Sequence, residues 1–182
     1  MKTYKVTIQG ITPLLMNRPS SLIGDISKER TQSDITPKQL AKDKLYQIEG
    51  KLYQPETHIK GSLVEAGKSQ KVVGSGKSTY SKIIGYAVEI NPFEILHKNQ
   101  NWEVFSVLAV NPTTKGRNLL HRPMLKIWEL DFEVTFDEEQ ISSIILKEVM
   151  DRAGKFVGIG DWRPGKKGRF GKFQVTSWKL AK

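Results

Sequence analysis

Two periodicities meet in the stretch MLKIWELDFEVTFDEEQISSIILKEVMDRAG, residues 124–154 of this 182-residue chain. From Met124 to Phe136, apolar and polar residues alternate, which predicts a long strand with one buried face. After Asp137 the apolar residues recur every three or four positions as far as Gly154, which predicts a helix with one apolar side. Asp137 is the expected N-cap residue, with acids in the first turn, and Gly154 is the expected C-terminal stop.

The same two patterns continue on both sides of this stretch. Alternation predicts a first strand over 4–11 and a final strand over 170–180. A helix is expected over 59–69, and the apolar, β-branched runs 83–90 and 104–110 indicate further strands. The order is βαββαβ, so we predict an α+β fold that is ferredoxin-like, or RRM-like: an antiparallel four-stranded sheet with two helices on one face.

Several segments lie outside this predicted core, although the whole chain, 1–182, is expected to form a single RRM-like domain. A long polar insertion follows the first strand, about 18–52, with a weak helix over 37–48. A basic finger with several glycines spans about 68–82. Asn-Pro, Lys-Gly and Arg-Pro steps predict a loop over 111–123, and a glycine-rich loop precedes the last strand.

Composition limits the classes of function. The formal net charge of +10 at pH 7 favours an anionic partner, nucleic acid ahead of a membrane surface. Without cysteine the chain has no disulfide, Cys-zinc site or thiol nucleophile, and its three histidines lack metal-ligand spacing, so no metal or other cofactor is expected. No apolar stretch is long enough for a membrane span or a signal peptide, so we expect a cytoplasmic location and no membrane partner.

The charges are segregated along the chain. Residues 152–182 hold nine Lys or Arg and a single acid, Asp161, whereas residues 129–151 hold eight acids and a single base, Lys147. This pattern indicates a protein that contacts a polyanion with one face and turns another face away from it. We interpret Asp161 as a local anchor for Arg163 or Arg169 within the basic segment.

The hexapeptide GSGKST, residues 74–79, resembles the end of a nucleotide-binding P-loop. The full motif requires glycine where this chain has Lys71, together with a buried strand before it and a helix after it, neither of which the sequence predicts. The segment is therefore interpreted as part of the basic finger, placed near nucleic acid.

Two motifs together resemble the RAMP superfamily of CRISPR systems. One is the loop GIGDWRPGKKGRFGKF (158–173) between a helix and a strand, and the other is QPETHIKGSLVEAGK (54–68) at a helix entrance. The chain also resembles a group of small phage-encoded proteins that share its PLLMN segment (13–17) and its terminal loop. The positions that match these motifs are Lys60, Gly61, Gly158, Gly160, Gly165, Gly168 and Arg169.

The resemblance implies an RRM-like core whose loops bind single-stranded nucleic acid along its backbone, independently of sequence. Backbone subunits of the superfamily assemble side by side, which implies self-assembly along the strand, and the phage-like resemblance favours DNA over RNA. The RRM stacking pattern is only echoed by residues 169–173, so stacking of bases on the sheet face is not expected.

The leading interpretation is therefore a non-enzymatic protein that binds single-stranded DNA. The expected contacts are basic residues of the loops and of the helix entrance, with Trp162 as the candidate for base stacking: Lys60, Lys68, Lys71, Lys77, Lys82, Lys115, Arg117, Arg122, Trp162, Arg163, Lys166, Lys167, Arg169 and Lys172.

Two alternatives remain open at this point. Some relatives of the fold cleave RNA with a His or an Asp, which makes a ribonuclease the runner-up, with His58, His121 and Asp25 as candidates. None of these residues has an acid–base partner at a defined spacing, so no catalytic residue is assigned. The other alternative is a filament or assembly subunit that coats RNA.

Overall fold

The computed structural model describes residues 1–19, 36–110 and 115–181. In chain order, the elements are β1 (Lys2–Gly10), β2 (Leu14–Leu15), α1 (Pro37–Lys42), β3 (Gln47–Ile48), β4 (Lys51–Pro55), α2 (Glu56–Gly67), α3 (Tyr80–Ala87), β5 (Val88–Asn91), β6 (Glu94–Leu96), β7 (Glu103–Val110), β8 (Arg117–Leu125), β9 (Glu129–Phe136), α4 (Ser143–Arg152), a π-helical turn (Ala153–Val157), a 3-10 turn (Pro164–Lys166) and β10 (Phe173–Leu180).

The central sheet is antiparallel, with the strand order β10, β1, β9, β5. The last strand of the core thus lies beside the first, the first beside the third and the third beside the second. That order is the ferredoxin-like one, so the predicted α+β fold class is confirmed. Two smaller antiparallel sheets, β2-β8-β7 and β3-β4-β6, flank the core.

Side chains of one parity form the core face of this sheet, as the alternation predicts. Val6 and Ile8 of β1 pair with Phe132 and Leu130 of β9, and all four are buried. Leu63 of α2 belongs to the same hydrophobic cluster, together with residues of α4. Residues of the opposite parity are polar and form the other, open face of the sheet.

The predicted strand over 124–136 is wrong in its length, because it is two strands. β8 ends at Leu125 and belongs to a hairpin with β7, whereas β9 begins at Glu129 in the central sheet. Between them Trp128 is buried, and its indole N–H donates to the Thr12 carbonyl at 2.8 Å. The run 104–110 is a strand as predicted, but it lies in this hairpin, and residues 117–123 of the predicted loop belong to β8.

The run 83–90 is mostly helical, contrary to the prediction. α3 ends at Ala87, and only Val88–Asn91 forms strand β5. Ile84, Ala87 and Val88 are all buried. A short apolar run with this spacing fits one side of a helix as well as a buried strand, so the pattern did not distinguish the two. Helix α1 is confirmed but shorter than predicted, and α2 begins at Glu56 instead of at 59.

The second core helix begins later and ends differently than the sequence predicts. Its N-cap is Ser142, whose hydroxyl accepts from the Ile145 N–H, whereas Asp137 caps a preceding turn by accepting from the Glu139 N–H. Gly154 does not end the helix, because the chain continues through the π-helical turn to Gly158, which has a φ of 70°. The final strand begins at Phe173, not at Phe170.

Across residues 1–19, 36–110 and 115–181, no helix combines the length and the apolar character that a bilayer crossing needs.

Candidate nucleic-acid interface

The entrance of α2 forms one wall of a cleft. Pro55 occupies the N-cap position and no side chain caps the first turn. The Glu56 N–H donates to the Phe93 carbonyl at 2.9 Å. An uncapped helix entrance carries partial positive charge and amide donors, so it favours negatively charged groups nearby.

The glycine-rich loop, defined here as residues 158–171, forms the other wall. Its two ends are joined by the Ile159 N–H, which donates to the Gly171 carbonyl at 3.0 Å. The PLLMN segment supports the loop from below: the Gly171 N–H donates to the Pro13 carbonyl at 2.8 Å and the Asp161 N–H to the Leu15 carbonyl at 2.9 Å. The backbone therefore fixes the loop in one shape.

Gly171 is required by this closure. Its φ is 69°, and a Cβ atom at this position would lie 1.8 Å from the Ile159 carbonyl oxygen. Only glycine adopts such a conformation without strain and leaves room for the opposing backbone. The glycines of this loop thus allow the backbone to pack closely as well as to adopt conformations that other residues avoid.

The two walls enclose two adjoining cavities. The first has a volume of about 220 Å³ and is lined by residues that include His58, Gly61, Ser62, Arg163, Gly165 and Lys166. The second, of about 180 Å³, shares His58, Gly160 and Arg163 with the first and adds Tyr46, Gln54 and Asp161. We call the two cavities together the α2–loop cleft.

His58 lies at the junction of the two cavities. Burial, reinforced by the positive charge of Arg163, lowers the pKa of His58 to about 4. Its imidazole is therefore neutral at pH 7. The ring nitrogen Nδ1 is hydrogen-bonded to the Gln54 amide, and the ring packs edge-on against Tyr46 with centroids 5.3 Å apart.

Asp161 forms an ion pair with an arginine from another element. The Arg122 Nε donates to the Asp161 carboxylate at 3.0 Å, and the two side chains are only 16% and 24% exposed. Burial, and then the charge of Arg122, lower the pKa of Lys44 nearby. The prediction that Asp161 anchors Arg163 or Arg169 is wrong: Arg122 of strand β8 is its ion-pair partner, and Arg163 donates instead to the Gly160 carbonyl at 3.1 Å.

Trp162 joins the glycine-rich loop to the β7–β8 hairpin. Its ring contacts Phe105 edge-on with centroids 6.2 Å apart, and Phe170 contacts the same phenylalanine at 5.2 Å. The indole is only partly exposed. The predicted stacking residue therefore lies at the edge of the candidate interface, with part of its surface used for packing.

The predicted contacts in the glycine-rich loop and at the α2 entrance differ in placement. Arg163 and Lys166 line the cleft, and Lys167 and Arg169 are exposed on the same loop. Lys60 lies outside the cleft, where its ammonium donates to the Val88 carbonyl and burial lowers its pKa. Lys172 follows the loop and is partly buried.

The other predicted contacts are spread over two projections. In the finger, a bridge between Lys71 and Thr79 makes a short hairpin-like turn, Lys68 is paired with Glu65 at 2.6 Å, and Lys77 and Lys82 are exposed. Near the end of the β7–β8 hairpin, Lys115 and Arg117 are exposed.

The GSGKST segment does not form a P-loop. A helix, α3, does follow it, contrary to the prediction, and Thr79 is its N-cap residue. No buried strand precedes it, since the chain arrives from α2 through the bridge at Lys71. The phosphate-binding geometry of that motif needs both elements.

The candidate catalytic residues are dispersed. His58 lies in the cleft, whereas His121 lies on β8, where a ring nitrogen is hydrogen-bonded to the Ser106 hydroxyl at 2.7 Å. Asp25 lies outside the described residues. Within the part of the chain that the structure describes, no group of three or more His, Asp or Glu side chains is positioned to hold a metal ion.

The open face of the central sheet is acidic. Its groove, of about 790 Å³, is lined by residues that include Lys5, Phe93, Glu94, Asp131 and Glu133. Phe93 is 72% exposed. The expectation that bases do not stack on this face agrees with its charge, because carboxylates repel phosphates.

Sequence reasoning missed Tyr46, Gln54 and Ser62 as cleft residues. A signal was available for two of them: Gln54, His58 and Ser62 are four residues apart, so they follow one side of α2 and its approach. Tyr46 lies in the predicted insertion, and only the tertiary structure brings it beside His58.

Comparison with known proteins supports the fold. No family model and no curated protein matches the chain. Among solved structures it is similar to a chain of the cryo-EM structure of the Type III-B Cmr-beta bound to cognate target RNA, with 14% sequence identity and a TM-score of 0.62. The match covers 100% of this chain and 61% of that chain, so the protein spans less than two thirds of the length of its neighbour. The match shows that the chain shares its α+β fold with a chain of that complex.

Proposed function

We propose that this protein binds single-stranded nucleic acid along its sugar–phosphate backbone, independently of sequence. The observation that carries the proposal is the α2–loop cleft, where Arg163 and Lys166 line the same cavity as Thr57 and His58 of the uncapped helix entrance. Cationic side chains beside the positive end of a helix suit phosphate groups. Lys167 and Arg169 extend this positive surface along the exposed side of the loop.

The opposite charge of the sheet supports the same assignment. Glu94, Asp131 and Glu133 line the groove on the open face. A polyanion is repelled from that face and attracted to the glycine-rich loop, so the charge distribution orients the protein on the strand. The structural neighbour was solved with RNA bound, which supports a polynucleotide as the ligand.

The experiment is a salt titration of binding to labelled single-stranded oligonucleotides. A variant with Lys166, Lys167 and Arg169 replaced by alanine is compared with one in which Lys5, Lys51 and Lys179 are replaced. Both variants lose three positive charges, so net charge is matched. The loop variant is expected to lower the slope of log affinity against log salt by about 2, since each phosphate contact on a single strand contributes about 0.7. An equal change in both variants, or no binding at low salt, would refute the proposal.

The preference for DNA over RNA remains a prediction. Competition between single-stranded DNA, single-stranded RNA and duplexes of the same length measures it directly. Tighter binding of RNA would instead favour the alternative in which the protein coats RNA as an assembly subunit. Sedimentation on strands of increasing length would then show whether several copies add along one strand.

A ribonuclease is the second candidate, and the position of His58 is the observation that favours it. The imidazole lines the same cavity as Arg163, whose cation can stabilise negative charge that develops on a phosphate. Cleavage of labelled RNA that is lost in His58→Ala, but retained in His121→Ala, would support this activity. Intact RNA after long incubation with wild-type protein would refute it.

A further inference from the structure

We propose that the α2–loop cleft takes up one nucleobase of the bound strand, so that the protein grips a base as well as the backbone. The inference rests on the proposed function and deepens it. Contacts to the base then supply one part of the affinity, and contacts between the phosphates and the loop cations supply the other part. The evidence is a pair of enclosed polar atoms in the cleft that have no hydrogen-bond partner among the described residues.

Two polar side-chain atoms of the cleft have no hydrogen-bond partner among the described residues. Gln54 is 1% exposed and Ser62 is 3% exposed. Among the described residues, neither the Gln54 Oε1 atom nor the Ser62 Oγ atom has a hydrogen-bond partner. Native proteins leave few buried polar atoms unsatisfied, because each one costs free energy. A ligand that enters the cleft would supply the missing hydrogen bonds.

The chemistry of these atoms matches a nucleobase better than a phosphate. Gln54 Oε1 can only accept a hydrogen bond, and the Ser62 hydroxyl can donate or accept. The Gln54 amide nitrogen donates to His58 Nδ1, which leaves the proton of the neutral ring on Nε2 as a donor. A phosphate offers acceptors alone and would meet an acceptor at Gln54, whereas the edge of a base offers donors and acceptors side by side.

The surroundings suit a base with its flanking phosphates. The cavities are about 220 and 180 Å³ in volume and adjoin at His58 and Arg163, which leaves room for one planar ring. The aromatic ring of Tyr46 lines the second cavity. Arg163 and Lys166 line the first and can hold the phosphates on either side of the inserted nucleotide. Because the two atoms are enclosed, we expect the side chains that cover them to move aside as the base enters.

The test compares two oligonucleotides of equal length and charge, one with bases and one built entirely of abasic tetrahydrofuran units. Wild-type protein is expected to bind the strand with bases at least about tenfold more tightly, the scale of one stacked and hydrogen-bonded base. Ser62→Ala is expected to weaken binding of the strand with bases about fivefold, the worth of one hydrogen bond. It should leave binding of the abasic strand unchanged.

Stability separates this role from a structural one. Removal of an unpartnered buried hydroxyl is neutral or stabilising, so urea denaturation should show no loss in Ser62→Ala. Ser177→Ala on the sheet face is the matched control and should alter neither strand's affinity. Gln54→Met serves as the second variant, with the same expected loss on the strand with bases.

The outcomes distinguish the two proposals. Equal affinity of wild-type protein for both strands, or an equal loss on both strands in Ser62→Ala, would overturn the base subsite while backbone binding stands. Failure of wild-type protein to bind either strand would overturn the proposed function and the subsite with it.

Discussion

The open face of the sheet and the α2–loop cleft are the two surfaces from which an RRM-like fold could bind a strand, and they carry opposite charges. The sheet groove is lined by Glu94, Asp131 and Glu133, whereas Arg163 and Lys166 line the cleft. The fold is shared with proteins of other functions, so it does not choose between these surfaces. The local charge does, and it favours the cleft.

The two surfaces also differ in how their charges are held. On the sheet, Lys98 pairs with Glu129 and Asp131 through exposed side chains. In the cleft, the Arg122–Asp161 pair is mostly buried, and backbone hydrogen bonds fix the loop that carries it. Exposed pairs contribute little to stability, whereas buried ones are costly to break. The cleft should therefore be the more sensitive region to substitution.

The largest expected effect comes from the closure of the glycine-rich loop. Gly171→Ala should lower the free energy of unfolding by more than about 3 kcal/mol, because it combines a positive φ with a backbone clash. Gly85→Ala on α3 meets no atom within 4 Å and is the control. It should raise stability by up to about 1 kcal/mol through helix propensity. Urea denaturation of both variants measures the difference. Similar effects of the two substitutions would contradict a rigid loop.

The next effect is a dependence of stability on pH, caused by two buried histidines: His58 in the cleft and His97 beside Trp128. Burial lowers the pKa of His58 and of His97 to about 4, from an ordinary value of 6.5. The unfolded chain therefore takes up protons that the folded protein excludes. Stability is complete above pH 6.5, falls as the pH drops from 6.5 towards 4, and loses roughly 3 kcal/mol for each histidine.

Chemical denaturation at pH 7 and pH 5 measures this effect for each site. His97→Leu should flatten the decline in part, as should His58→Leu, and the double variant should flatten it most. A decline that is identical in wild type and double variant would show that other groups cause it.

A smaller effect is expected from the ion pairs themselves. Asp161→Asn should cost about 2 kcal/mol, because it leaves the mostly buried Arg122 guanidinium uncompensated among other cations. Asp131→Asn on the sheet should cost less than about 0.5 kcal/mol, since its partner Lys98 is exposed. Thermal unfolding of the two variants, at low and at high salt, provides the measurement. Equal costs would mean that the two regions are not built differently.

The smallest effect is expected at the exposed aromatic residue of the sheet groove. Phe93→Ala removes a ring that is 72% exposed and lies beside carboxylates. Affinity for single strands should stay within about twofold of wild type, because this face repels phosphates. A loss of tenfold or more would transfer the binding site to the sheet, as in an RRM that stacks bases there.

Periodicity predicted the core of the fold but not its interruptions. The alternating pattern continues through residues 126–128, so it gave no sign that β8 and β9 belong to different sheets. The apolar residues of the run 83–90 fit the period of a helix and that of a strand, and the length of the run did not distinguish the two. Capping was ambiguous in the same way, because Asp137 and Ser142 are both good N-cap residues.

The charge of the site was predictable from the sequence, but the contacts between its residues were not. The concentration of bases in residues 152–182 located the glycine-rich loop correctly as a basic segment. The pairing of Asp161 with Arg122 joins positions 39 residues apart, and Tyr46 reaches His58 from the predicted insertion. Such contacts depend on the tertiary arrangement of separate elements, which local pattern does not encode.

The most direct test of the central claim is photo-cross-linking with strands that carry 5-iodouracil, in DNA and in RNA form, followed by mapping of the linked peptides. The method captures aromatic residues close to a base, and both surfaces contain them: Tyr46 and Trp162 at the cleft, Phe93 on the sheet. We predict cross-links in peptides from residues 44–68 and 154–173, and none in residues 88–96. Cross-links confined to residues 88–96 and 129–136 would contradict the account.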